Sequence, residues 1–179
     1  TQLVPLQNWG WTADFSVKDG SRVFQGRSIA GLRYVTPGYF RTLGIPVVKG
    51  RVFTSTDRNQ DNPVVVVNQT LARHRFATED PVGRRVSFDG GKQWATIVGV
   101  VGDTRQQDLT TPVMEEVIGA FAETGFNDLR VFVRSQAPPQ AISRQIRDAV
   151  RFFFEQKTAY EMQPLAEQRT QALAPHRLV

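Results

Sequence analysis

Apolar positions along this chain recur with two periods, and each period predicts a different kind of element. Residues 63–68 read PVVVVN, a continuous apolar run of strand length bounded by Pro63 and Asn68, which predicts a buried strand. Residues 140–154, QAISRQIRDAVRFFF, place Ile142, Ile146, Val150 and Phe154 at steps of four, with Arg144, Arg147, Asp148 and Arg151 mainly elsewhere around the helix. That spacing predicts an amphipathic helix lying on a sheet.

Ahead of both lies a sharply defined device, VTPGYFRTLGIPVVKGRVF at 35–53. The stretch before it, SRVFQGRSIAGLRYV, ends in alternation, with Leu32 and Tyr34 on one face and Arg33 and Val35 on the other, and reads as a strand. Thr36 has the character of a helix N-cap, and Pro37 suits the first helical position. Tyr39, Phe40 and Leu43 share one helical face as core packing, and Gly44 is placed to end the helix in the left-handed conformation. IPVVKGRVF then begins a new strand.

Further on, TSTDRNQDN at 54–62 is a polar loop, Asn68 is positioned to cap a helix over QTLARHRF, and EDPVG breaks it. RRVSF, DGGK and QWATIVGVVGD follow as strand, hairpin turn and strand. MEEVIGAFAE is open between strand and helix, although Val117, Gly119 and Phe121 can share one strand face. LRVFVR at 129–134 predicts a strand, and TAYEMQ the strand returning from the amphipathic helix. The pattern thus contains two β-α-β units, near 29–53 and 129–163, flanking a β-rich stretch at 54–113, in an α+β fold.

Composition narrows the function classes. With 179 residues, 40% of them hydrophobic, an ordinary globular core is expected. The net charge is +5 and the isoelectric point about 10.1, but the basic residues are dispersed from Arg22 to Arg151 with acids or apolar residues between them, so they form no clustered nucleic-acid footprint. The chain has no cysteine, which removes disulfides, thiolate metal sites and the usual thiol nucleophile. No apolar run approaches the roughly 20 residues that span a bilayer, and the start, TQLVPLQNWGW, lacks signal-peptide character; an extracytoplasmic location would have to be imposed from outside this stretch.

Candidate chemistry is sparse. His74 and His176 stand in no metal-binding spacing, and His74, flanked by arginines, reads as a solvent-facing helical residue. FDGGKQW lacks the P-loop spacing and has Gln93 where a hydroxyl should follow Lys92; Asp89, Gly90 and Gly91 fit a hairpin turn instead. The carboxylate pairs Glu115 with Glu116 and Glu79 with Asp80 are adjacent in sequence, and adjacent side chains diverge on a strand, which suits two-carboxylate hydrolysis badly. No catalytic, cofactor-binding or metal-ligating residue is assigned, and no cofactor is expected.

Taken together, VTPGYFRTLGIPVVKGRVF, PVVVVNQTLARHRF, DPVGRRVSF and ATIVGVVGDTRQQDL resemble, in order and spacing, the extracytoplasmic core domain of MacB-like ABC transporter permeases, nearest the duplicated orphan permeases of acidobacteria. The resemblance covers about residues 22 to 173. It implies a porter-like lobe of β-α-β units from 1–53 and 114–164, an inserted β-rich, sabre-like lobe at 54–113, and a helix at 165–179 leading toward a transmembrane span. It also implies a non-catalytic periplasmic domain at a bacterial inner membrane, coupling cytoplasmic ATP hydrolysis to export or mechanotransmission. Its partners would be the transmembrane and ATPase parts of the same transporter, a second permease in a dimer, and a periplasmic adaptor protein, with no specific nucleic acid. Two other readings stand beside it: a free-standing anion or nucleic-acid binding module, motivated by the basic charge, and a hydrolase with dispersed carboxylates.

Overall fold

A valine run that is apolar on both faces can be stable only where both faces are covered, and 64–67 forms the strand around which this fold is built. In the computed structural model, the described residues are 1, 4–5, 10–19, 22–24, 29–57, 62–77, 79–106, 111–121, 130–153, 162–167 and 170. In chain order the elements are β1 (Trp11–Asp14), β2 (Ser16–Asp19), β3 (Arg22–Phe24), β4 (Ile29–Val35), α1 (Tyr39–Leu43), β5 (Val47–Gly50), β6 (Val64–Asn68), α2 (Gln69–Phe76), β7 (Arg85–Ser87), β8 (Ala95–Val101), β9 (Glu116–Ala120) and α3 (Pro139–Phe153). The chain divides into two units, Thr1–Phe132 and Val133–Val179.

The first unit holds one nine-stranded sheet in the order β1-β4-β9-β6-β8-β7-β2-β3, with β5 pairing β8 off this path. β4 runs parallel to β9 and β6 parallel to β8, while β6 and β9 are antiparallel. Only Phe15 separates β1 from β2, yet β1 pairs with β4 and β2 with β7. The sheet path therefore bends until its first strand, β1, and its last but one, β2, adjoin on one chain segment.

Period-two alternation in β6 divides the core. Val65 and Val67 point into a cluster with Phe15, Ala30, Leu71, Phe76, Val86, Ile97, Val100 and Val117. Val66 points the other way, into a cluster with Val35, Tyr39, Phe40, Phe53, Val101 and Ile118. Helix α2 seals the first cluster through Leu71 and Phe76, and α1 seals the second. Ile97 and Val100 share a face despite their odd spacing because the β6–β8 register slips by one residue: Val65 faces Ile97, but Val66 faces Gly99. Gly99 is required there, since a Cβ would overlap the backbone carbonyl of Arg51 on the incoming chain.

The short device at 35–53 forms largely as its sequence dictates. Tyr39 and Phe40 are buried, and Gly44 ends α1 at φ 71°, its N–H donating to the Arg41 carbonyl while the Ile45 N–H reaches the Phe40 carbonyl at 2.8 Å. The helix start differs. Gly38 is the N-cap, with no side-chain cap, and Thr36 contributes its backbone carbonyl to the Tyr39 N–H at 3.0 Å. Thr36 and Pro37 thus form a turn before the helix, whose first turn is left to backbone bonds alone.

Residues 29–53 do not make a β-α-β unit of neighbouring strands. β9, β6 and β8 lie between β4 and β5 in the sheet. The boundaries expected at 53/54 and 113/114 likewise run through hydrogen-bonded pairs: β6, β7 and β8 from 54–113 bond to β9, β2 and β5 from the other stretches. These boundaries therefore separate stretches of one sheet, not two sheets.

Residues 130–134 also correct an expected strand. They lie outside any strand, and the Arg130 N–H donates to the Thr1 carbonyl at 2.7 Å. The alternation is real, with Phe132 packed on the second cluster and Val131 and Val133 78% and 54% exposed, but alternation without a neighbouring ladder makes no strand. The ambiguous stretch MEEVIG resolves as strand β9.

In the second unit, α3 covers the stretch predicted from its step-of-four pattern. Ile142, Ile146 and Val150 are half-buried, Arg144, Arg147, Asp148 and Arg151 are exposed, and Phe152 is 80% exposed. Phe154, most of TAYEMQ and residues 171–179 lie outside the described residues; within 165–179, positions 165–167 and 170 are helical. Among the described residues no helix is long and apolar enough to cross a membrane.

The polar loop after β5 is closed by Asp57. Its carboxylate takes two bonds from the Arg51 guanidinium, at 2.6 and 2.9 Å, and bonds from the Thr54 N–H and hydroxyl, each at 2.8 Å. The Arg51 hydrogen bond, helped by Thr54, holds the Asp57 carboxyl well below the usual carboxylate range. A group depressed in this way stabilises the fold above its unfolded pKa and loses that contribution as pH falls toward the folded value. Asp57→Asn is expected to cost about 1 to 2 kcal/mol at neutral pH, a reduced figure because Arg51 is half exposed. In urea unfolding, the deficit against the parent should stay constant down to the ordinary value of 3.8 and shrink below it.

Candidate functional site: a buried polar network at one end of the sheet

Strand directions bring the C-terminal ends of β6 and β8 to the same end of the sheet as the N-terminal ends of β4 and β9. Polar side chains gather there: Asn68 closes β6, Glu116 opens β9, Asp103 and Thr104 follow β8, and Arg33 of β4 bonds to Glu116. Asn68, fully buried, performs two tasks. Its Oδ1 accepts the Leu71 N–H at 3.0 Å, capping α2 as its position predicts, and also the Glu116 N–H at 3.0 Å; its Nδ2 donates to the Met114 carbonyl at 2.9 Å. One amide thereby fixes where the helix begins and where β9 begins.

Beside it lies a buried ion pair. Arg33 Nε donates to Glu116 Oε1 at 2.7 Å, with the two side chains 1% and 6% exposed. Arg33 Nη1 donates to the Tyr39 hydroxyl at 3.4 Å, and Nη2 to Gln106 Oε1. Gln106 Nε2 donates onward to Thr104 Oγ1 at 2.7 Å and to the Glu116 carboxylate at 3.3 and 3.4 Å, and the Thr104 hydroxyl donates to Glu116 Oε2 at 3.5 Å. The guanidinium is thus held by a strand, a helix and the segment after β8.

Burial works against the charge on Arg33, but Glu116 and Tyr39 outweigh it and its pKa lies above the ordinary value. Burial likewise pushes the Tyr39 phenol up to about 12, against the opposing pull of Arg33. At neutral pH the tyrosine is a neutral hydroxyl and the arginine a full charge. The cluster is a compensated pair, in which the Glu116 carboxylate accepts from Arg33, Gln106 and Thr104.

Two outer groups complete the same end. Asp103, just past β8, accepts from the Thr70 N–H at 2.8 Å, the Thr70 hydroxyl at 2.9 Å and Arg73 at 3.1 Å, so it supplies an anion to the first turn of α2. Glu115 lies 3.0 Å from His74 Nδ1 and takes a bond from Arg75 Nε at 2.7 Å.

The residues considered for chemistry are thereby placed. Glu115, just before β9, and Glu116, its first residue, diverge, one to Arg75 of α2 and the other to buried Arg33. His74 is an exposed helical residue, and His176 lies outside the described residues. Asp89 closes a hairpin, accepting from the Lys92 and Gln93 N–H groups at 2.9 Å, with Gly90 and Gly91 at φ 74° and 93°. Glu79 pairs with Arg84 and Asp80 with Lys49. Among the described residues, no group of three or more His, Asp or Glu side chains could hold a metal ion.

The model of the family described as the MacB-like periplasmic core domain matches residues 4–149 of this chain. The macrolide export ATP-binding/permease protein MacB of Neisseria meningitidis serogroup A is 28% identical over 132 residues, covering 68% of this chain and 20% of the relative. Its counterpart from Aggregatibacter actinomycetemcomitans is 32% identical over 84 residues, covering 47% of this chain and 12% of the relative. The chain spans about a fifth of the length of the curated relatives it matches. Among solved structures, the periplasmic region of MacB from Actinobacillus actinomycetemcomitans superposes with a TM-score of 0.56 at 20% identity, over 82% of this chain and 66% of that one. The extracellular domain of the noncanonic ABC-type transporter YknZ from Gram-positive bacteria gives 0.54 at 18% identity, over 86% and 78%. At these identities the likeness is one of fold.

Proposed function

This chain belongs to the family of MacB-like periplasmic core domains, and from that premise we propose that it serves as the extracytoplasmic part of an ABC-type permease at a bacterial inner membrane. In that role it carries out no bond chemistry; it couples ATP hydrolysis on the far side of the membrane to export or to mechanical transmission. The observation that carries the proposal is the family match across residues 4–149. The site geometry supports it, since the buried acid is held in a compensated pair and not presented to a substrate.

The partners in this reading are the transmembrane and ATPase parts of the same transporter, a second permease in a dimer and a periplasmic adaptor. The porter-like and sabre-like stretches within residues 1–132 share one sheet, and we propose that they move as one body. The basic charge speaks less for a nucleic-acid module, because Arg33, Arg51, Arg73, Arg75 and Arg84 all pair with acids of the same chain.

The coding sequence on either side of this stretch tests the proposal. It should continue in frame into apolar segments of about 20 residues, long enough to span a bilayer. A reading frame that closes on both sides without such a segment contradicts it. The 179-residue chain itself should turn over no ATP, and ATP hydrolysis abolished by Lys92→Ala would contradict the non-catalytic role.

A further inference from the structure

We propose that Arg33 is a conformational hub, through which displacement of the segment carrying Thr104 and Gln106 is passed to Tyr39 of α1 and on to Phe132, where the first unit ends. A guanidinium is planar and presents its N–H groups in a fixed fork, so acceptors bound to different nitrogens are held in one mutual arrangement. Here Nε holds Glu116 of β9, Nη1 the hydroxyl of Tyr39, and Nη2 the side chain of Gln106. With Arg33 only 1% exposed, water is not at hand to replace a partner that leaves. Moving Gln106 must therefore turn the guanidinium, which reaches Tyr39 through Nη1, or strand a buried charged donor, which is the costlier outcome.

Tyr39 extends the path. Its ring meets Phe132 edge to face, at 5.9 Å between centroids, and Phe132 is the last residue before the division between the two units. At the other end, Thr104 and Gln106 directly follow Asp103, which is fastened to the first turn of α2. The hub thus joins the segment leaving β8 to the aromatic side chains beneath α1. It gives the transmission role proposed above a physical route, but it rests on geometry within residues 1–132 and is tested on the chain alone, so either idea can fail without the other.

The test uses Tyr39→Phe, which keeps the ring and its contacts with Phe40 and Phe132 and removes only the hydroxyl. The readouts are the NMR resonances of the Gln106 side-chain amide and of Arg33 Nε–H. Tyr39→Phe should shift the Gln106 amide resonances and speed solvent exchange of Arg33 Nε–H about tenfold, the change expected from losing one hydrogen bond to a charged group. Reciprocally, Gln106→Ala should shift the ring resonances of Tyr39 and Phe132. Backbone exchange at Val66, in the centre of the sheet, should stay unchanged in both variants. Unmoved Gln106 resonances in Tyr39→Phe would overturn the hub, and so would a general acceleration that includes Val66, since that is loosening and not transmission.

Discussion

Glu116→Leu alone should destabilise the chain by about 3 to 5 kcal/mol, whereas Arg33→Met combined with Glu116→Leu should recover most of that loss. The single change removes the carboxylate bonded to Nε of a charge that is almost completely buried. Moving a charge out of water costs several kcal/mol, and the attraction to Glu116 is what offsets it. Removing both charges removes the cost as well as the attraction, and the apolar replacements fill similar volume. Urea unfolding of the parent, both single variants and the double variant yields the coupling directly. A single-variant loss below about 1 kcal/mol would mean that the pair behaves as a surface ion pair despite its burial.

Phe40→Ala is the second large effect, at about 3 to 5 kcal/mol, because it deletes a large side chain from a packed cluster and leaves a cavity. Phe40 is 2% exposed; its ring lies 5.5 Å from that of Tyr39 and 6.0 Å from that of Phe53. The five-residue helix that carries it has no side-chain N-cap, so packing of this face, and not intrinsic helix stability, holds it in place. Since each kcal/mol moves the melting temperature of a protein this size by roughly 2 to 4 °C, the midpoint should fall by about 6 to 20 °C. A fall below about 2 °C would show that these aromatics face a partner instead of a core.

What could be read in the sequence was local. PVVVVN declared a strand covered on both faces, Asn68 a cap, QTLARHRF a helix and Gly44 a helix end, because each depends on residues within a few positions of one another. Strand neighbours were harder. The eye joins 29–35 to 47–50 through their short helix, but pairing is decided by burial, and the two-faced β6 draws β9 and β8 between them. The same limit hid the polar network. Arg33 and Glu116 are 83 positions apart, and Arg33 and Gln106 73. One signal was present: Arg33 alternates onto the same strand face as the fully buried Val35, and a charge on an apolar face calls for an opposite charge somewhere beyond local reach. Nothing in MEEVIG distinguishes Glu116 from Glu115 as that partner until the strand assignment of β9 fixes which of them faces inward.

The central claim, that this domain answers to ATP hydrolysis across a membrane, is tested most directly in the membrane-embedded transporter with its ATPase. Lys92 lies exposed on the β7–β8 hairpin and engages Asp89 through its backbone N–H, and the chain has no cysteine of its own, so Lys92→Cys accepts a single environment-sensitive fluorophore here. The label's emission should change when ATP is added and return as it is hydrolysed, and the change should disappear when the ATPase is inactivated. Emission that stays constant through the ATP cycle in a transporter that is hydrolysing ATP, with labels at other exposed positions of residues 1–132 equally silent, would contradict it.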